Sequence, residues 1–114
     1  MIVNKHRGEV SAVLDGEQRR LCLTLGALAE LEAAYHAENL NVLVERFSSG
    51  RLSANDLIRV IGAGLRGAGD AVSDAEVGVM QSEGGVAGFA AIVGELLVAT
   101  FGSAKAGGDG QPNP

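Results

Sequence analysis

Leu52-Ser53-Ala54-Asn55-Asp56-Leu57-Ile58-Arg59-Val60-Ile61-Gly62-Ala63-Gly64-Leu65-Arg66-Gly67 decides the fold, because it admits two opposed readings. As a strand followed by a glycine turn, Gly62-Ala63-Gly64-Leu65-Arg66-Gly67 matches the G-x-G-x-x-G fingerprint of dinucleotide-binding folds. As a helix, the stretch starts at Ser53 and runs through those glycines. Local physics favours the helix. The Ser53 hydroxyl can accept from an otherwise unpaired backbone N–H of the first turn. Asp56, three residues on, can reach back to the cap and meets the positive end of the helix dipole. Leu52 and Leu57 hold the two staple positions around that cap. Leu57, Ile58, Ile61 and Leu65 recur at spacings of three and four, and Val60 widens their face. A dinucleotide fold needs a strand directly before Gly62, where the cap places a helix nine residues old. It also needs a strand ending in an acid about twenty residues later. Glu83 is near that distance but lies in Gln81-Ser82-Glu83-Gly84-Gly85, which is no strand. Gly62 and Gly64 then read as bare positions that let another helix come close, at a propensity cost of about 1 kcal/mol each.

Upstream, Val10, Ala12 and Leu14 alternate with Glu9, Ser11 and Val13, and Asp15-Gly16 is a hairpin signal. A return strand over 19–25 puts Leu21, Leu23 and Leu25 on one face and Arg20, Cys22 and Thr24 on the other. One apolar face on a lone hairpin must be covered by helices. Thr24 can cap a first helix over 25–36, with Leu28, Leu31 and Tyr35 as its stripe. Asn39 or Asn41 starts a second, in which Leu40, Leu43, Val44 and Phe47 share a face, and Gly50 is its left-handed stop. Downstream, Ser73 and Glu76 make a second capping box, with Val72 and Val77 as its staple, for a brief fourth helix. A fifth helix over 86–101 carries Phe89, Ile92, Val93, Leu96, Leu97, Val98 and Phe101, with Glu95 its only charge. Those seven residues exceed the roughly 100° stripe that one face can bury. They are the expected partner-binding surface. Gly102 is the expected stop, and residues 103–114, without apolar pattern, are expected to be disordered.

Composition narrows the function. A chain of 114 residues is one domain's worth and can bury a core without staples. With three Phe, one Tyr and no Trp, that core is aliphatic. A formal charge of −5 argues against a nucleic-acid partner, since phosphate binding needs a basic patch. One cysteine cannot form an internal disulfide, which fits a reducing cytoplasm. The expectation is of no apolar run reaching the ~18–20 residues that span a bilayer. Met1–Arg7 lacks the apolar h-region of a signal peptide, so a cytoplasmic chain with no membrane partner is expected.

No residue type stands in a catalytic pattern. His6 and His36 have no metal-ligand spacing with Cys, Asp or Glu and read as solvated. Cys22 lacks a C-x-x-C partner and has only Arg20 as a basic neighbour, which is too little to stabilise a thiolate nucleophile. Ser48-Ser49-Gly50 is not a nucleophile elbow. Glu30 and Glu32, like Asp74 and Glu76, are two apart on a helix and point about 200° from each other. The expectation is no enzyme, no cofactor and no metal.

Several short motifs recur in a telling order: Arg7-Gly8-Glu9, Asp15-Gly16-Glu17, Leu23-Thr24-Leu25-Gly26-Ala27-Leu28-Ala29-Glu30-Leu31-Glu32, and Leu43 to Phe47. Ser49-Gly50-Arg51-Leu52-Ser53-Ala54-Asn55-Asp56-Leu57, Gly64-Leu65-Arg66-Gly67 and Ala99-Thr100-Phe101-Gly102 follow. Over residues 7–102 this resembles the small tail-region protein of alphaproteobacterial gene transfer agents, also carried by related prophages. The resemblance implies one of two roles, since members are labelled both tail assembly chaperones and tail tube proteins. A chaperone would hold the tape-measure protein soluble before tail tube subunits polymerise around it. A tube subunit would remain in the particle.

The expected fold is therefore α+β: an N-terminal β-hairpin packed on about five short helices, one domain over 1–102. The expected function is a tail assembly chaperone binding the tape-measure protein, with a structural tail or tail tube component as the alternative. The partners that the excess apolar surface suits are a tape-measure segment, tail tube subunits or a second copy of the chain.

Overall fold

The computed structural model describes residues 8–107, with side chains described as far as residue 102. Residues 1–7 lie outside the described residues, as does the end of the expected disordered tail from residue 108. Strand β1 (Glu9–Leu14) pairs antiparallel with β2 (Glu17–Cys22), Leu14 opposite Glu17 and Val10 opposite Leu21. Asp15 and Gly16 both have positive φ, 54° and 78°. That is the two-residue primed turn whose twist matches the strands. Val10, Ala12, Leu14, Leu21 and Leu23 are buried on one side.

The return strand ends at Cys22 rather than 25, which corrects one expected core residue. Thr24 turns the chain out of the sheet by accepting from the Ala27 N–H at 3.1 Å, so Leu25 becomes the first residue of helix α1 (Leu25–Tyr35). Leu25 is 81% exposed. Helix α2 (Leu40–Ser48) is capped by Asn39, and Gly50 takes the left-handed conformation after it.

Helix α3 (Ala54–Gly67) is the axis of the molecule, packing against β2, α1, α4 and α5. Its capping box is complete: the Ser53 hydroxyl accepts from the Asp56 N–H at 3.1 Å, and Asp56 Oδ2 accepts from the Ser53 N–H at 2.8 Å. Val60, Ile61, Ala63 and Leu65 have essentially no exposed surface. Gly64 is the close approach. A Cβ there would lie 2.7 Å from Leu96 Cδ2 and 3.2 Å from Leu21 Cβ, so α3 is pinched between the hairpin and α5. Gly62 admits a neighbour by its side chain. Its missing Cβ leaves room for the carboxylate of Asp74, the first residue of the short helix that follows, and not for close approach of a helix backbone.

Helix α4 (Asp74–Val77) has the second capping box, Ser73 with Glu76. The segment after it is fastened to the hairpin turn: the Asp15 N–H donates to Gln81 O at 2.8 Å and the Gln81 N–H to Asp15 Oδ1 at 2.9 Å. Helix α5 then runs Gly85–Gly107, beyond the expected stop at Gly102. Gly102 is not among the positive-φ glycines, and without a left-handed residue nothing breaks the ladder there. The backbone of 103–107, expected to be disordered, is helical. The fold is α+β, and the described residues form one hairpin and five helices.

Candidate functional site

The seven apolar residues of α5 do not share one environment. Val93 and Leu96 have no exposed surface and belong to the chain's own core, which corrects their expected place on a partner surface. Phe89, Ile92, Leu97 and Phe101 are half-buried against that core. Val98 alone is open, at 67% exposure. It stands with Ala87, Ala90, Ala91 and Gly94, all exposed, on one outward arc of about 100° at 3.6 residues per turn. That arc carries no charge, and Glu95 marks its edge.

Val98 is a ridge between two apolar grooves. Toward α2 it faces a cleft of about 130 Å³ lined by Val44, Phe47, Leu97 and Phe101. Toward β1 it faces a wider one of about 540 Å³ lined by Val10, Ala91, Gly94 and Ala99, with Glu95 at the rim. A third apolar cavity of about 180 Å³ lies between α3, α4 and the start of α5, among Ile58, Ile61, Met80, Val86 and Phe89. The window Gly85–Gly102 has a mean hydropathy of 1.8. By length and composition it could cross a membrane, against the expectation of no such run. Yet its inner face is committed, with Leu96 seated over Gly64.

The polar groups are tied into structure. Asp56 is buried, 2% exposed. Its carboxylate accepts from the Tyr35 hydroxyl and faces an Arg46 guanidinium nitrogen at 3.5 Å. Burial alone would push that carboxyl up, but the hydrogen bonds from Tyr35 and Ser53 and the charge of Arg46 outweigh it and hold the group below the ordinary aspartate value. Tyr35 is pushed the other way, by burial first and then by its bond to Asp56. The guanidinium carbons of Arg46 and Arg59 lie 4.4 and 5.2 Å from the centre of its ring, and Phe47 meets that ring edge-on at 5.5 Å. Arg66 joins three elements. It donates to Glu30 of α1 at 2.6 Å and to Val72 O at 2.9 Å, and lies 3.1 Å from Asp74 Oδ1. Glu30 raises its already high pKa despite partial burial.

Among the described residues no group of three or more His, Cys, Asp or Glu side chains is placed to hold a metal. Cys22 is half-buried on the sheet. His36 ends α1 in the left-handed conformation. Arg7 and His6 lie outside the described residues. What the arrangement offers chemically is apolar contact area, concentrated on one long helix.

No curated protein and no solved structure matches the chain. A family model does, over residues 7–103: the phage tail tube protein family described as GTA-gp10. That span takes in the hairpin, all five helix starts and the exposed arc of α5. The chain belongs to this phage tail family.

Proposed function

We propose that this chain is a non-enzymatic structural component of a phage-like tail, of the gene transfer agent type, retained in the particle and contacting neighbouring tail subunits through the uncharged arc of α5. The observation that carries the reading is the family match across residues 7–103, joined to an apolar surface larger than the chain's own core uses. Such a contact needs no cofactor and no titrating group. Its free energy comes from area, at roughly 25 cal/mol per Å² removed from water before association costs. The chain is made in the host cytoplasm and leaves it within the particle. Quantitative mass spectrometry of purified particles tests this: the chain should be present at a fixed ratio to the other tail proteins.

A second reading rests on the secondary structure. A tube wall closes from β-sheet, and the described residues hold two strands against five helices. On that observation the chain is an assembly chaperone that keeps the tape-measure protein soluble. It would then be absent from finished particles and would co-purify with the tape-measure protein from cells.

A further inference from the structure

We infer that α5 pairs with α5 of a second copy of this chain across a two-fold axis, Val98 of each copy seating at Gly94 of the other. The pair is the free chain's use of the arc that the tail-component reading gives to neighbouring subunits in the particle, and retention in the particle holds whether or not the free chain pairs.

Three observations lead there. The first is Gly94. Glycine weakens a helix interior relative to alanine. The glycines of α3 repay that by admitting Leu21, Leu96 and the Asp74 carboxylate. At Gly94 a Cβ would meet no atom of the described residues within 4 Å. None of the described residues uses the missing side chain, whereas a second helix crossing there does, since interaxial distance is set by the side chains at the contact. The second is shape. Val98, 67% exposed, stands one turn from Gly94 on the same arc, beside the groove that Gly94 helps to line. A ridge and its groove on one face are self-complementary, which is the requirement of an isologous interface. The third is charge. The chain carries −5, so two copies repel over most of their surfaces. The arc of Ala87, Ala90, Ala91, Gly94 and Val98 is uncharged, and Glu95 at the groove rim stays in water.

Area sets the strength. From Val86 to Phe101 the face is about 22 Å long at 1.5 Å per residue. A face that short, built mostly of alanine and glycine, buries less than the ~800 Å² per partner of a stable pair and falls in the range of weak, transient contacts. The pair is therefore reversible and concentration-dependent.

Sedimentation equilibrium of the full chain, with thermal melting alongside, tests this. The wild-type mass should climb with concentration from 11.6 kDa toward twice that value. Gly94→Leu meets no described residue of the single chain, so its melting temperature, read at a dilution where both proteins are monomeric, should hold or rise while its dissociation constant rises at least about tenfold. Val98→Glu, which sets like charges across the axis, should also stay monomeric. A wild-type chain that is monomeric throughout overturns the proposal, and so does one that stays monomeric while floating with phosphatidylcholine vesicles. Dimers that persist unchanged in both variants overturn it too, because pairing then uses another face.

Discussion

The Tyr35 hydroxyl at the end of α1 donates to the buried Asp56 carboxylate in the first turn of α3. One side chain thus completes the cap of the central helix and ties that helix to its neighbour. Arg46 of α2 meets the same carboxylate, so three helices converge on it. Asp56→Ala removes the return half of the capping box and strands the Tyr35 hydroxyl in a half-buried position. The expected loss is about 2–3 kcal/mol, from the cap and the unpaired donor together, read by urea denaturation. Tyr35→Phe should cost less, about 1 kcal/mol, because Asp56 keeps its backbone donor.

The same carboxylate makes stability depend on acid. Its folded pKa lies below the ordinary value, so the folded state binds its proton more weakly than the unfolded chain does. The stabilisation is therefore present above the unfolded value of about 3.9 and lost as pH falls through the folded one. Melting temperature should decline below about pH 4 in the wild type. Asp56→Asn should start lower and lose part of that slope; an acid slope identical in both proteins would remove Asp56 as its source.

Two glycines of α3 should rank by what they admit. Gly64→Ala pushes a methyl against Leu96 Cδ2, a side-chain end that can move aside, and against Leu21 Cβ, which can give only slightly, at a cost of about 1–3 kcal/mol. Gly67→Ala drives its Cβ into the Cys22 carbonyl, which is backbone and cannot yield without moving the end of β2. It should be the worse of the two by thermal melting. Equal melting temperatures would mean that the junction between β2 and α1 is looser than its geometry.

Local grammar was easy to see in the amino-acid order, and long-range placement was not. Ser53 with Asp56, Ser73 with Glu76, Thr24, Asn39 and Asp15-Gly16 each act within four residues, and each does in the fold what its chemistry dictates. Leu25 satisfied two patterns at once, the last inward place on a strand and the first turn of a helix; the Thr24 cap won, and the leucine went to solvent. Gly102 misled because a glycine permits the left-handed turn that ends many helices but does not impose it, and Gly102 stays out of it. The division of α5 into core (Val93, Leu96) and surface (Val98) depends on where α3 and β1 press on it, 30 and more residues away. So does the meeting of Tyr35, Arg46 and Arg59 at one ring. For Asp56 the capping position was visible, but its burial was not.

Arg66 should be worth more than a surface ion pair. Its guanidinium is 27% exposed and bonds Glu30 and the Val72 carbonyl while facing Asp74. Arg66→Met keeps the stem and removes the donors, leaving the Val72 carbonyl without that partner. A loss of about 1–3 kcal/mol is expected. Glu30→Gln removes one exposed partner and should cost at most about 1 kcal/mol. If the two substitutions cost the same, the carbonyl bond contributes nothing and the network is only a surface pair.

Gly62 gives the sharpest test of what the glycine-rich stretch is for. In a phosphate cradle its backbone would sit at a strand-to-helix turn with free N–H groups. Here it lies inside a 14-residue helix, and its Cα faces the Asp74 carboxylate, which would repel a pyrophosphate. Gly62→Ala overlaps that carboxylate, so displacing Asp74 from Arg66 should offset alanine's advantage as a helix former of about 1 kcal/mol. Asp74→Ala removes the obstacle, so Gly62→Ala should be more favourable in that background, by a coupling of about 1 kcal/mol in the double-mutant cycle. Purely additive costs would mean that Asp74 swings clear at no expense and that the glycine is there for another reason. NAD or FAD should leave the wild-type melting temperature where it is; a rise of several degrees would restore the nucleotide-binding reading of this stretch.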